Sequence, residues 1–117
     1  MRPARIVLDD ILRHIDYLQQ FVADGEDTFI HDIKTQFAVR LAYQLIGDMV
    51  KQLPESLLAL QPQINWRDLK GMREILAHQY FQLDLEIVWN STDDLPALRA
   101  AVEALLTTLP LEDEDAS

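Results

Sequence analysis

Three observations make this chain an all-α protein, a bundle of four to five helices. Glycine and proline are scarce, at three and five among 117 residues. Strand-like alternation of β-branched residues is absent. Apolar residues recur at steps of three and four along most of the chain, which is the period of a helix face. With 49% apolar residues, the chain has enough hydrophobic material for one domain around one core. Small helical domains of this size often bury a remaining face against a second copy.

The first helix is expected over residues 3–22, where Leu8, Ile11, Ile15, Leu18 and Val22 form one buried stripe. Residues 23–27, with Gly25 among them, end it, and Asp27 or Thr28 offers a cap for the next helix. That second helix is expected over 29–53 and stops before Pro54. It carries two apolar rows. Ile33, Phe37, Leu41, Leu45 and Met49 form one; Val39, Tyr43, Ile46, Val50 and Leu53 form the other. Such a helix is expected to be central and packed on both sides. A polar row, Gln36, Arg40, Gln44 and Asp48, runs between them. Its members either satisfy one another in a structural network or wall a wet cleft, and spacing alone does not choose.

A short helix over 55–60 follows Pro54 and stops before Pro62. The next starts near Trp66 and holds Leu69, Met72, Arg73, Leu76 and Tyr80, with a bend at 81–84. The last covers 85–109, with a break near Asp93 or Asp94 and a fresh start capped by Asp94 ahead of Pro96. Leu98, Val102, Leu105 and Leu109 supply its inner stripe. Residues 1–110 thus form the domain, and the acidic block 111–117 is expected to be a disordered tail.

The absence of cysteine removes disulfides, thiolate metal sites and cysteine nucleophiles together, and it fits a reducing cytoplasm. Only three apolar residues separate Arg5 from Asp9, so the N-terminus reads as neither a signal peptide nor a membrane span. The net charge of −10 argues against broad phosphate binding, and neither DNA nor a membrane is an expected partner. The charge is uneven. Residues 64–83 carry Arg67, Lys70 and Arg73 against Asp68 and Glu74, while residues 84–117 carry Arg99 alone against nine acids.

Three histidines are present, and none has a metal-ligand partner four residues on; no metal and no cofactor is expected. Neither a glycine-elbow serine nor a glycine-rich phosphate loop occurs. His78 stands out for its company. Glu74 lies one turn before it, and Arg73 and Tyr80 share a face seven residues apart. An imidazole moves protons near neutral pH. A guanidinium binds phosphate in a bidentate manner and stabilises charge gathering on it. Together they suffice for RNA cleavage by the ribose 2′-hydroxyl without a protein nucleophile. On a helix, however, Arg73 and His78 stand about 140° apart. To meet at one phosphate they need a cleft at the helix end, a local distortion, or copies from two chains. By spacing alone, Arg and His five residues apart is a common coincidence.

The wider frame is more specific. WRDLKGMREILAHQYF at 66–81 resembles the signature of the HepT-like toxins of the HEPN superfamily, W-x-x-(I/L)-x-G-M-R-N-x-(L/I)-x-H-x-Y-F. The following DLEIVW at 84–89 and Asp94-Leu95-Pro96 resemble its continuation, as Arg40 and Ile46-Gly47-Asp48 resemble its upstream part. The resemblance spans nearly the whole chain apart from the acidic tail. It implies a HEPN-type bundle forming a homodimer and a metal-independent endoribonuclease acting on tRNA or mRNA. Arg73 and His78 would be the catalytic pair in a cleft at the dimer interface. Arg40, Gln44, Asp48 and Glu74 would line or support that cleft, and Arg67 and Lys70 would offer phosphate contacts. The implied partner is a minimal nucleotidyltransferase antitoxin that transfers AMP to the tyrosine matching Tyr80, beside the Arg73 face, where added phosphates would block RNA.

Two positions depart from the pattern. Glu74 stands where the family usually has Asn, and a carboxylate one turn from His78 favours imidazolium and repels RNA phosphate. Asp48 replaces a commoner Glu. Glu74 motivates an alternative, a catalytically degenerate HEPN module that docks a nucleotidyltransferase or binds nucleotide.

Overall fold

The computed structural model describes residues 2–78 and 85–110, with the side chains of 73–78 left aside. Every regular element among the described residues is helical: α1 (Ala4–Phe21), α2 (Glu26–His31), α3 (Ile33–Val50), α4 (Glu55–Leu58), α5 (Trp66–His78), α6 (Leu85–Ser91) and α7 (Leu95–Thr107), with a 3-10 turn at Thr92–Asp94 between the last two. The expected all-α bundle is the architecture found. No helix of the described residues is long and apolar enough to cross a membrane.

α3 is the central helix, packed against both α1 and α5, while α7 lies along α1. The stripe Leu8, Ile11, Ile15 and Leu18 of α1 is fully buried, with Val22 half-buried beyond its end. It meets the inner row of α3 (Val39, Tyr43, Ile46, Val50) and the α7 row Leu98, Val102 and Leu105. α1 and α7 are also clasped at their rims. Arg99 of α7 donates to Asp16 and, at 2.7 Å, to Gln19 of α1. From α1, Arg5 donates to the carbonyls of Leu106, Leu109 and Pro110 at 3.1–3.4 Å. These carbonyls lie in and just past the last turn of α7, where a helix leaves acceptors unpaired and its dipole favours a cation.

The second helix is not continuous over 29–53 as the sequence predicts. It is divided into α2 and α3 at Asp32, whose backbone is extended (φ −116°, ψ 104°). The Asp32 carboxylate accepts from the Thr35 hydroxyl at 2.6 Å and the Lys34 amide at 3.2 Å, which caps α3. Those hydrogen bonds, that of Thr35 foremost, hold its carboxyl below the usual range. Gln36 closes the joint by donating to the carbonyls of Phe29 and Ile30 at 2.9 Å each. α2 begins after Gly25, whose φ of 97° suits glycine, and not from a side-chain cap on Asp27 or Thr28.

The packing of α3 also differs from expectation. The inner row is buried, but Ile33, Phe37, Leu41 and Leu45 are 65, 54, 56 and 39% exposed, and only Met49 of that row is buried. Within one chain α3 is therefore covered on one face. The break near Asp94 occurs where predicted. The Asp94 side chain makes no cap hydrogen bond, and Pro96 sits in the first turn of α7. The tail 111–117 and the bend 81–84 lie outside the described residues.

Candidate functional site

The motif helix α5 is anchored at its start. Asn65 caps it, its Oδ1 accepting from the Asp68 amide at 3.1 Å while its Nδ2 donates to the Asp68 carboxylate at 2.8 Å. The Trp66 ring is buried, and its indole N–H is shared between the carbonyls of Leu58 and Gln61, 3.0 Å from each. This ties α5 to the turn after α4. Lys70 reaches Glu55 of α4 at 2.5 Å. Leu69 and Met72 pack on the core beneath. The first tryptophan of the motif thus holds the helix in place. The capping pair Asn65 and Asp68, three residues apart, was readable in the sequence as a helix start.

From that anchor α5 runs unbroken through Arg73 and Glu74 to His78, its last residue. At about 100° per residue the two expected catalytic positions remain about 140° apart around its axis. α5 packs on α3, the helix that carries Arg40, Gln44 and Asp48. Gln44 and Arg40 are half-buried and Asp48 is exposed. The Arg40 guanidinium lies 5.7 Å from the centre of the Phe37 ring, so the polar row borders the exposed apolar row. Of the two expected phosphate contacts, Arg67 is exposed and Lys70 is engaged by Glu55. Tyr80 lies outside the described residues.

The other histidines sit apart from this helix. His14 and His31 each bond a carbonyl one turn back, Asp10 at 2.7 Å and Asp27 at 2.9 Å. A second polar feature was not anticipated. The Tyr43 hydroxyl on α3 meets Ser91 of α6 at 2.7 Å, and burial pushes its pKa up to about 12.

Fold and motif together define the class: a small helical bundle with an Arg-x4-His helix locked onto a central, half-covered helix. Comparison with known proteins narrows it. The family described as "Ribonuclease HepT-like" matches residues 11–105. A "probable ribonuclease HepT" of Thermococcus cleftensis is 38% identical over 101 residues, covering 84% of this chain and 91% of that protein. Two proteins of Methanocaldococcus jannaschii, each named for a proposed RNase activity, are 33% and 30% identical over 116 residues, covering 97% of this chain and 96% of each relative. No solved structure matches the chain. The chain belongs to the ribonuclease HepT-like family.

Proposed function

We propose that this protein is a metal-independent endoribonuclease, the toxin of a toxin–antitoxin pair, whose cleft forms between two copies of the chain. In that cleft the ribose 2′-hydroxyl attacks the adjacent phosphorus and the 5′-oxygen leaves. The products are a 2′,3′-cyclic phosphate and a 5′-hydroxyl. His78 carries the proton, taken from the 2′-hydroxyl or given to the leaving oxygen. Arg73 stabilises the charge on the phosphoryl oxygens. The observation that carries the reading is the placement of both residues on one unbroken helix within the family-matched span. The RNase names of the relatives support the same chemistry.

The dimer rests on α3. A row of four large apolar side chains, each more than a third exposed, is costly to leave in water. A second copy that covers it would bring Arg40, Gln44 and Asp48 to the seam and set two α5 helices about one axis. That removes the difficulty of the 140° separation, because residues from two helices converge where those of one diverge. RNA, tRNA or mRNA, is the substrate. A minimal nucleotidyltransferase is the antitoxin, transferring AMP from ATP to Tyr80.

Expression of the chain alone should arrest growth, and His78→Ala or Arg73→Ala should abolish the arrest; equal toxicity of either variant overturns the catalytic assignment. Incubation with the nucleotidyltransferase and ATP should add mass in AMP increments, and Tyr80→Phe should remove the gain. An unchanged gain in Tyr80→Phe rejects the modification site. Glu74 favours a second reading, a silent module that docks the nucleotidyltransferase or nucleotide. A purified dimer that binds the partner and leaves an RNA pool intact would establish it.

A further inference from the structure

The turn before α5, the first turns of α5 and the start of α7 line an open cavity of about 360 Å³, within the size range of small-molecule sites. Its interior is largely apolar, with Met72 and Leu98 among its walls. Among the described residues its charged lining is Asp68 and Asp94, and none that line it is Arg, Lys or His. Tyr43, only 3% exposed, is buried against it.

The direction of the hydrogen bonds decides what this cavity offers. Ser91 Oγ lies 2.6 Å from the Val88 carbonyl and 2.7 Å from Tyr43 Oη. A hydroxyl has one proton and a carbonyl can only accept, so the Ser91 proton goes to Val88. The Tyr43 proton then goes to Ser91, and Tyr43 Oη keeps only acceptor lone pairs. Each rim amide spends one of its two N–H protons on the protein, Gln63 on Gln61 at 2.7 Å and Asn65 on Asp68 at 2.8 Å. Asp94 is close enough to Tyr43 for its charge to act on the phenol. The polar side of the cavity thus presents three acceptor groups, the carboxylates of Asp68 and Asp94 and the Tyr43 hydroxyl oxygen, facing apolar walls, with the second amide protons of Gln63 and Asn65 at the rim.

We propose that this cavity binds a small organic cation, an amidinium or protonated amine on a flat apolar body, with its charged head on Asp94 and Tyr43 Oη and its body between Met72 and Leu98. A neutral or anionic analogue of the same shape lacks the donors or the charge to satisfy those acceptors. An inorganic cation would gain nothing from the apolar walls. The site goes beyond the RNA-cleavage reading, and loss of that reading leaves it standing.

The test uses the full chain and three isosteric probes, benzamidine, benzamide and benzoate, followed by calorimetry and amide chemical shifts. Benzamidine should bind saturably with one site, shift the resonances of Tyr43, Ser91 and Leu98, and bind at least about tenfold more tightly than benzamide, a difference of about 1.4 kcal/mol. Benzoate should not bind. Asp94→Asn, at an exposed position, should weaken benzamidine about tenfold, and Ala97→Leu at the rim should block it, both with unfolding midpoints near that of the parent. Equal binding of benzamide, benzamidine affinity unchanged in Asp94→Asn, or shifts confined to other residues would each overturn the proposal.

Discussion

Replacing Leu41 by Glu puts a charge in the middle of the exposed α3 row and tests what covers it. Leu41 is 56% exposed in the single chain, so the change removes little from its own core. Glu is a good helix former, so α3 should hold. Full burial of a leucine is worth about 1.5–3 kcal/mol. Burying the exposed half of Leu41 is then worth roughly 1–1.5 kcal/mol per copy. A two-fold dimer counts each residue twice, giving at least about 2 kcal/mol before the cost of desolvating two carboxylates is added. At about 1.4 kcal/mol per decade, dimer affinity should fall at least about 30-fold. Sedimentation velocity over a concentration series reads this directly, with circular dichroism and urea unfolding as controls. The parent should sediment as a dimer and Leu41→Glu as a folded monomer. A parent that stays monomeric at high concentration, or a variant that dimerises as before, would refute the reasoning.

Two further outcomes follow from the described contacts. Arg5→Met keeps most of the packing but removes the charge-assisted bonds to the end of α7, and it should lower the urea-unfolding free energy by about 1–2 kcal/mol. A loss under a few tenths would count against that capping role. Tyr43 has its pKa raised to about 12 in the fold, against 10.0 as the ordinary value, so the native state keeps a proton that the unfolded chain loses. Its contribution is intact below pH 10 and is lost as pH rises through 10 towards 12, by up to roughly 3 kcal/mol. Urea unfolding across that window should show Tyr43→Phe with a shallower decline than the parent; parallel declines would contradict the assignment.

Much of the fold was legible because periodicity reports burial. The α1 stripe, the inner α3 row and the α7 stripe are where the three-and-four spacing put them. The helix break at Asp32 was not, since no glycine or proline marks it. The apolar period passes through it, and the local bonds of Thr35 and Lys34 to one carboxylate decide it. Periodicity was also misleading for Ile33, Phe37, Leu41 and Leu45. An apolar row signals a face that some surface covers, and it does not say whether that surface belongs to the same chain. The family was legible through the frame around Arg73 and His78 and not through their spacing. The structure adds the reason for part of that frame, with Trp66 and Asn65 fixing the helix that carries the pair. The Tyr43–Ser91 bond joins residues 48 apart in sequence, and no local pattern announces it.

The central claim, that Arg73 and His78 cut RNA, is most directly tested by incubating purified parent and His78→Ala protein with an RNA pool in excess EDTA. Denaturing gels and an assay for 2′,3′-cyclic phosphate ends give the readout. The parent should cleave with cyclic-phosphate ends despite the chelator, and His78→Ala, folded and dimeric, should leave the pool intact. Undiminished cleavage by His78→Ala, or a parent that cleaves nothing, would contradict the account.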